Sequence, residues 1–212
     1  SHRLRNGRAT VDERKKLIEA AALLTQSPLF LDDSPSRSVL EISAVARRLK
    51  RSNKLGLIII DYLQLIEPDN SKDNRQEQVA RIARRLKGMA REINVPVVCL
   101  AQLNRQAEQT GDHLPRLSHL RESGAIEQDA DIVMFVHREE YYLTPEEREK
   151  EKQDGNPRGL IGGAQIVIAK QRNGPTGDVK LFWKHEFTRF EALTQRPYDE
   201  FEQFGEPASE PF

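Results

Sequence analysis

Residues 55–66 read LGLIIIDYLQLI. Leu57 to Ile60 are four large aliphatic side chains in succession, and the run halts at one carboxylate, Asp61, before apolar residues resume at Leu63. A strand with one face in water alternates apolar and polar residues, whereas a run without alternation is built to be covered on both faces. Asp61 therefore stands where such a strand ends. A second run of the same kind, VPVVCLAQL, occupies residues 95–103. Between the two lie a polar loop, EPDNSKDN, and a stretch from Arg75 to Ile93 in which Val79, Ile82, Ala83, Leu86, Met89, Ala90 and Ile93 recur at helical spacing. Arg81, Arg84, Arg85 and Arg91 fall off that stripe. Two unalternating strands joined by an amphipathic helix predict a parallel sheet with helices on both faces, an α/β architecture.

Working outward, Thr10 and Glu13 have the spacing of a capping box, and Val11, Leu17, Ile18, Ala21, Ala22 and Leu24 follow at helical intervals. PLFLDDSP, residues 28–35, reads as a short strand ending in a turn. SVLEISAVARRLKR, residues 38–51, reads as a second amphipathic helix with basic residues in its last turn, where the helix dipole favours them. Downstream, a polar segment over residues 104–131 precedes a third apolar strand, DIVMFVH. TPEEREKEKQDGNPRG, residues 144–159, reads as a charged surface excursion. AQIVIAKQR, NGPTG and DVKLFWKHEF then form a strand, a turn and a returning strand, a hairpin near the C-terminus. Residues 1–195 are expected to form one domain, and residues 196–212, acidic and proline-containing, a disordered tail.

The 212 residues carry 33 basic and 33 acidic side chains, but Asp199, Glu200, Glu202, Glu206 and Glu210 lie in a terminal stretch without a base, leaving the remainder at +5. That balance permits a nucleic-acid partner without requiring one. The longest apolar run is far short of the roughly 20 residues that span a bilayer. The first residues, SHRLRNGR, have no secretory character, so a cytoplasmic setting without a membrane partner is expected. Cys99, the one cysteine, reads as a buried thiol acting as a small hydrophobe, and the five histidines have no zinc-site spacing.

Polar groups at the carboxyl ends of parallel strands are where open α/β sheets bind ligands. Asp61 at such an end either holds Mg²⁺ through water beside terminal phosphates or caps a turn. Gln102, at the end of the neighbouring strand, either bonds a terminal phosphate or its attacking water, or is a polar strand terminus. Lys170 and Arg172 alternate before the NGPTG turn and so point to one side of the hairpin. They either neutralise charge on a transferring phosphoryl group or are ordinary exposed bases. In LSHLRESGAIEQDAD, residues 117–131, Arg121 and Gly124 suit phosphate oxygens, while Glu122 is a poor phosphate ligand; the other reading is a solvated loop entering a helix.

With these segments in hand, the chain resembles the motor domain of bacterial replicative DNA helicases of the DnaB type. LGLIIIDYLQLI, VPVVCLAQLNR, LRESGAIEQDAD and IAKQRNGPTG occur in that family's order over residues 1 to about 195. The resemblance implies a RecA-like, mostly parallel β-sheet flanked by helices, assembled as a homohexamer around single-stranded DNA with ATP between neighbouring subunits. It further implies a primase and a helicase loader as partners and 5′-to-3′ travel. Asp61 then resembles the Walker B aspartate that positions Mg²⁺, and Gln102 the glutamine linking the terminal phosphate to the DNA loops. Arg121, Glu122 and Gly124 match the loop that follows the DNA backbone. Lys170, Gln171 and Arg172 match the segment that reaches the nucleotide of the next subunit. The sequence departs from the family in one decisive way: none of its glycines is followed by lysine, so no G-x-x-x-x-G-K-[ST] loop occurs. In the family that loop and the water-activating glutamate lie upstream of SHRLRNGR, so Ser1 is expected to lie partway through the motor domain, as a fragment, one half of a split protein or the downstream flank of an intein. The polypeptide alone is expected not to hydrolyse ATP. A recombination or repair ATPase on the same fold and a non-catalytic DNA-binding or ring-forming module are the competing readings. His119 stands where acidic residues are frequent in the family, and residues 144–163 form a rather long insertion.

Overall fold

The computed structural model describes Gly7 and residues 10–52, 55–70, 72–104 and 113–193. These fall into two compact units divided after Pro35. The first contains helix α1, Val11–Gln26, opened by the capping box expected from the sequence: the Thr10 hydroxyl accepts from the Glu13 amide at 3.2 Å, and the Glu13 carboxylate accepts from the Thr10 amide at 2.7 Å. Residues 28–34 form no strand. The expectation of one fails because a strand exists only through a ladder partner, and among the described residues none pairs with this segment.

The second unit begins with α2, Val39–Ser52, followed by β1, Ile58–Ile60, then α3, Arg75–Ile93, and β2, Val97–Cys99. The Asn74 side chain caps α3 by accepting from the Glu77 amide at 2.9 Å, and Asn94, at φ 51°, ends it in the left-handed conformation that Asn tolerates. The predicted stripe of α3 supplies Val79, Ile82, Leu86, Met89 and Ile93 to a core shared with Val39 and Ala46 of α2 and with Leu63 and Ile66. β1 and β2 pair parallel, Ile58 opposite Val97 and Ile60 opposite Cys99. Those four side chains pack on the core, whereas Ile59 and Val98 alternate to the other face and are 64% and 41% exposed. Among the described residues one face of this pair is therefore covered, not the expected two.

Four further strands, β3 (Ile132–His137), β4 (Gly163–Gln171), β5 (Gly177–Lys184) and β6 (Arg189–Ala192), form an antiparallel sheet in sequence order. The β4–β5 hairpin is the one predicted; β6 extends it after a turn containing Thr188 at φ 49°. The α/β class with a C-terminal hairpin stands, and among the described residues the parallel pairing is confined to β1 and β2 apart from an isolated bridge between Ser38 and Glu67. In β3, Val133 and Phe135 pack with Leu120, while Ile132, Met134 and Val136 are exposed. Between β2 and β3 a 3-10 segment, Leu117–Ser123, runs into the short helix α4, Gly124–Asp129.

The region read as a charged excursion contains helix α5, Pro145–Gln153. Its signal was in the sequence: Thr144 and Glu147 make a reciprocal capping box, and Pro145 sits in the first turn, where its missing N–H costs nothing. Glu151, 2% exposed, ties the excursion together by accepting from the Arg158 amide at 3.0 Å and its Nε at 2.8 Å. Gly162, at φ 75°, leaves room for the Phe182 ring; a Cβ there would lie 2.4 Å from it. The predicted tail, residues 196–212, lies outside the described residues.

Candidate functional site

Because β1 and β2 run parallel and in register, their carboxyl ends emerge side by side. The Leu100 amide donates to the Ile60 carbonyl at 2.9 Å, and the Leu63 amide to the Leu100 carbonyl at 2.8 Å, so the chain stays beside the end of β2 past Asp61. Asp61, Tyr62, Leu100, Ala101 and Gln102 line an open pocket of about 320 Å³. The two residues singled out on separate strands thus share one rim, and both are exposed.

Sequence reasoning passed over a third member. Past the last backbone bond, the Gln64 side chain continues the ladder: its Nε2 donates to the Gln102 carbonyl and its Oε1 accepts from the Gln102 amide, each at 3.3 Å. The Gln64 carbonyl accepts from Arg75 Nη2 at 3.3 Å, tying the turn to the start of α3. A side-chain amide carries both donor and acceptor and can therefore imitate a peptide unit opposite another peptide unit. Only the register between the strands identifies Gln64 as the residue doing so.

Asp61 fits a hard divalent ion. Among the described residues no three His, Cys, Asp or Glu side chains gather. A Mg²⁺ ion at Asp61 would complete its shell from water and phosphate oxygens, which is its habit where one carboxylate meets a nucleotide.

Lys170 and Arg172 are not among the residues lining that pocket. They gather elsewhere, at the carbonyl end of α4. Lys170 Nζ donates to the Glu127 carbonyl and, at 3.4 Å, to the Gln128 carbonyl. Arg172 Nη2 donates to the Gln128 carbonyl at 3.0 Å. The Arg172 amide donates to the Asp131 carbonyl at 2.9 Å, and its Nε lies 3.6 Å from the Asp131 carboxylate. Cations belong at that end of a helix, where carbonyls have no partner of their own and the dipole is negative. Lys87 of α3 also donates to Asp131. The Lys87 hydrogen bond first, then the charges of Lys87, Arg172 and Lys170, hold the Asp131 carboxyl below its ordinary range. Gln171 turns away and folds over the hairpin turn, where a Cβ on Gly174 would lie 2.4 Å from its Nε2.

Gly124 opens α4 with ordinary helical angles, is exposed, and has open space where a Cβ would stand. The side chains of Arg121 and Glu122, on the 3-10 segment just before it, lie outside the described residues. His119 is buried, and its Nδ1 accepts from the Arg116 amide at 3.1 Å, so it braces the segment from within. Cys99, read as buried, is half-buried against the core, and that burial pushes its thiol up to about 11. No helix among the described residues is long and apolar enough to cross a membrane.

Comparison with known proteins gives a consistent result. The profile of the DnaB-like helicase C-terminal domain matches residues 1–192. The chain is 46% identical over 205 residues to the replicative DNA helicase DnaC of Bacillus subtilis, covering 96% of this chain and 42% of that protein. It is 46% identical to the replicative DNA helicase DnaB of Geobacillus stearothermophilus, covering 93% and 41%. Among solved structures, an ATPase domain superposes with a TM-score of 0.80 at 38% identity, covering 91% of this chain and 65% of that one. A DnaB-like replicative helicase studied with its interactions with primase gives 0.77 at 40% identity, covering 87% and 42%. The chain thus spans about two-fifths of the length of the curated relatives it matches.

Proposed function

The chain belongs to the family of DnaB-like helicase C-terminal domains, and on that premise we propose that it is part of the motor of a replicative DNA helicase that unwinds duplex DNA with ATP and Mg²⁺. The observation that carries this reading is the meeting of Asp61 and Gln102 in one pocket at the carboxyl ends of two adjacent parallel strands. Asp61 would hold a hydrated Mg²⁺, which would screen charge on the terminal phosphates. The Gln102 amide bonds the terminal phosphate or its attacking water and changes partner after cleavage, reporting nucleotide state to the segment carrying Arg121, Glu122 and Gly124, which follows single-stranded DNA. Lys170, Gln171 and Arg172 serve the nucleotide of a neighbouring subunit in a homohexamer, whose cytoplasmic partners include a primase and a loader.

The exposed apolar residues Ile59, Val98, Ile132, Met134 and Val136 support reading residues 1–195 as part of a larger layered domain, since strands of this composition are built for cover on both faces. One observation favours a second reading for the isolated chain, a DNA-binding or ring-forming module without catalysis: its 212 residues contain no phosphate-binding loop. One experiment separates the two. ATPase activity with single-stranded DNA is measured on this chain and on the chain completed by the upstream part of its relatives. The expected result is no turnover from the first and turnover from the second, abolished by Asp61→Ala with assembly intact. Turnover retained by Asp61→Ala refutes the metal role.

A further inference from the structure

Lys170 and Arg172 are cations that must reach across a subunit boundary, and a reaching side chain needs a fixed base. Arg172 is 51% exposed and Asp131 59% exposed, so neither is held by packing. What holds them is a set of directed bonds. The Asp131 backbone carbonyl takes the Arg172 amide, its carboxylate faces Arg172 Nε, and the same carboxylate is gripped by Lys87 from α3. The last carbonyls of α4 take Lys170 Nζ and Arg172 Nη2.

We propose that Asp131 is a positioning residue for phosphoryl transfer: anchored to α3 through Lys87, it fixes the pose from which Lys170 and Arg172 reach the neighbouring subunit's nucleotide. The proposal rests on the functional reading given above and adds to it a residue that touches neither nucleotide nor DNA. Three cations meet one carboxylate here, so the cluster keeps a surplus of positive charge for an arriving phosphate. Neutral carbonyls hold the rest of the pair loosely enough for a dianion to outcompete them. One feature separates this role from a structural one: an ion pair this exposed contributes little to stability.

The test uses rings of the completed protein mixed from two kinds of subunit. Asp61→Ala subunits cannot turn over their own nucleotide but still offer their own Arg172. Asp131→Asn subunits retain a working pocket but offer a misaimed pair. Alone, Asp131→Asn rings are expected to lose roughly 10–100-fold in kcat, the usual consequence of displacing a reacting group by about 1 Å, with KM and melting temperature little changed. Asp131→Glu restores part of the loss. Mixed with Asp61→Ala subunits, Asp131→Asn subunits recover turnover, as Arg172→Ala subunits do. Wild-type turnover by Asp131→Asn, or a melting temperature that falls in step with activity, overturns the proposal. So does a mixture that stays inactive while the Arg172→Ala mixture recovers, because Asp131 then serves its own subunit's pocket. Failure of both mixtures refutes the cross-subunit reading itself, and the proposal with it.

Discussion

Replacing Gln64 by Ala removes the side-chain rung that holds the Gln102 backbone and touches nothing else in the pocket. Both bonds are 3.3 Å long, beyond the usual 2.9–3.0 Å for such pairs, so each belongs near the lower end of the range, about 0.5 kcal/mol. Together they contribute about 1 kcal/mol to the pose of Gln102, a factor of about 5 in the ratio of that pose to its alternatives and so at most about fivefold in its population. The neighbours Leu63 and Ile66 are buried in the core and keep the segment in place without the amide. The completed protein carrying Gln64→Ala should therefore melt close to wild type and keep its basal ATPase. Stimulation of that ATPase by single-stranded DNA, the quantity that depends on where Gln102 points, should fall by up to about fivefold. Gln64→Glu is the harsher change, because it sets a carboxylate oxygen against the Gln102 carbonyl and adds negative charge beside Asp61. Its stimulation ratio should fall below that of the alanine variant. A ratio unchanged in Gln64→Ala, or an order of effects reversed between the two, refutes the reasoning.

Arg121→Ala in the completed protein should weaken single-stranded DNA binding equally for all sequences and reduce the slope of log affinity against log salt by about 0.7, the share of one phosphate contact; an unchanged slope places Arg121 off the backbone. Cys99 supplies a pH test on the chain itself. Its thiol is raised to about 11 in the fold, so at pH 8 about one molecule in a thousand carries the thiolate, against about a quarter for a free cysteine. Alkylation by iodoacetamide should be slow in the native protein and accelerate on denaturation. Burial favours the neutral form, so this contribution to stability is complete below the unfolded pKa and is lost as pH rises towards 11. Equal labelling rates in the two states contradict it.

What could be read in the sequence was whatever local chemistry decides. The stripe from Val79 to Ile93 and the Thr10 start of the first helix depend on neighbours within one turn, and the observed helices follow them. The hairpin around NGPTG is local in the same sense. PLFLDDSP was not decidable in this way, because an apolar stretch becomes a strand only when another strand lies beside it. The Asp61 and Gln102 rim was readable because parallel strands bring like ends together. Gln64, Lys87 and Asp131 were not, since each acquires its meaning from a partner 38 to 44 residues away. α5 is the opposite case: its capping box at Thr144 and Glu147 was in plain view, and the density of charge around it hid a helix whose pivot, Glu151, is buried.

On the proposed function, the two clusters divide one reaction's requirements between them. The pocket at the β1–β2 rim has a carboxylate and amides and no cation among its lining residues, so it can orient a metal and sense a phosphate but cannot offset the charge of a leaving phosphoryl group. The cations that could do so are bound to the last carbonyls of α4, with Arg172 beside the Asp131 carboxylate. A chain that keeps these groups apart gains nothing from either alone. The separation makes chemical sense when one subunit's cations complete another subunit's pocket. Hydrolysis then requires assembly, and α4 becomes the shared element: its amino end continues from the segment proposed to follow DNA, and its carbonyl end holds the pair proposed to leave for a phosphate.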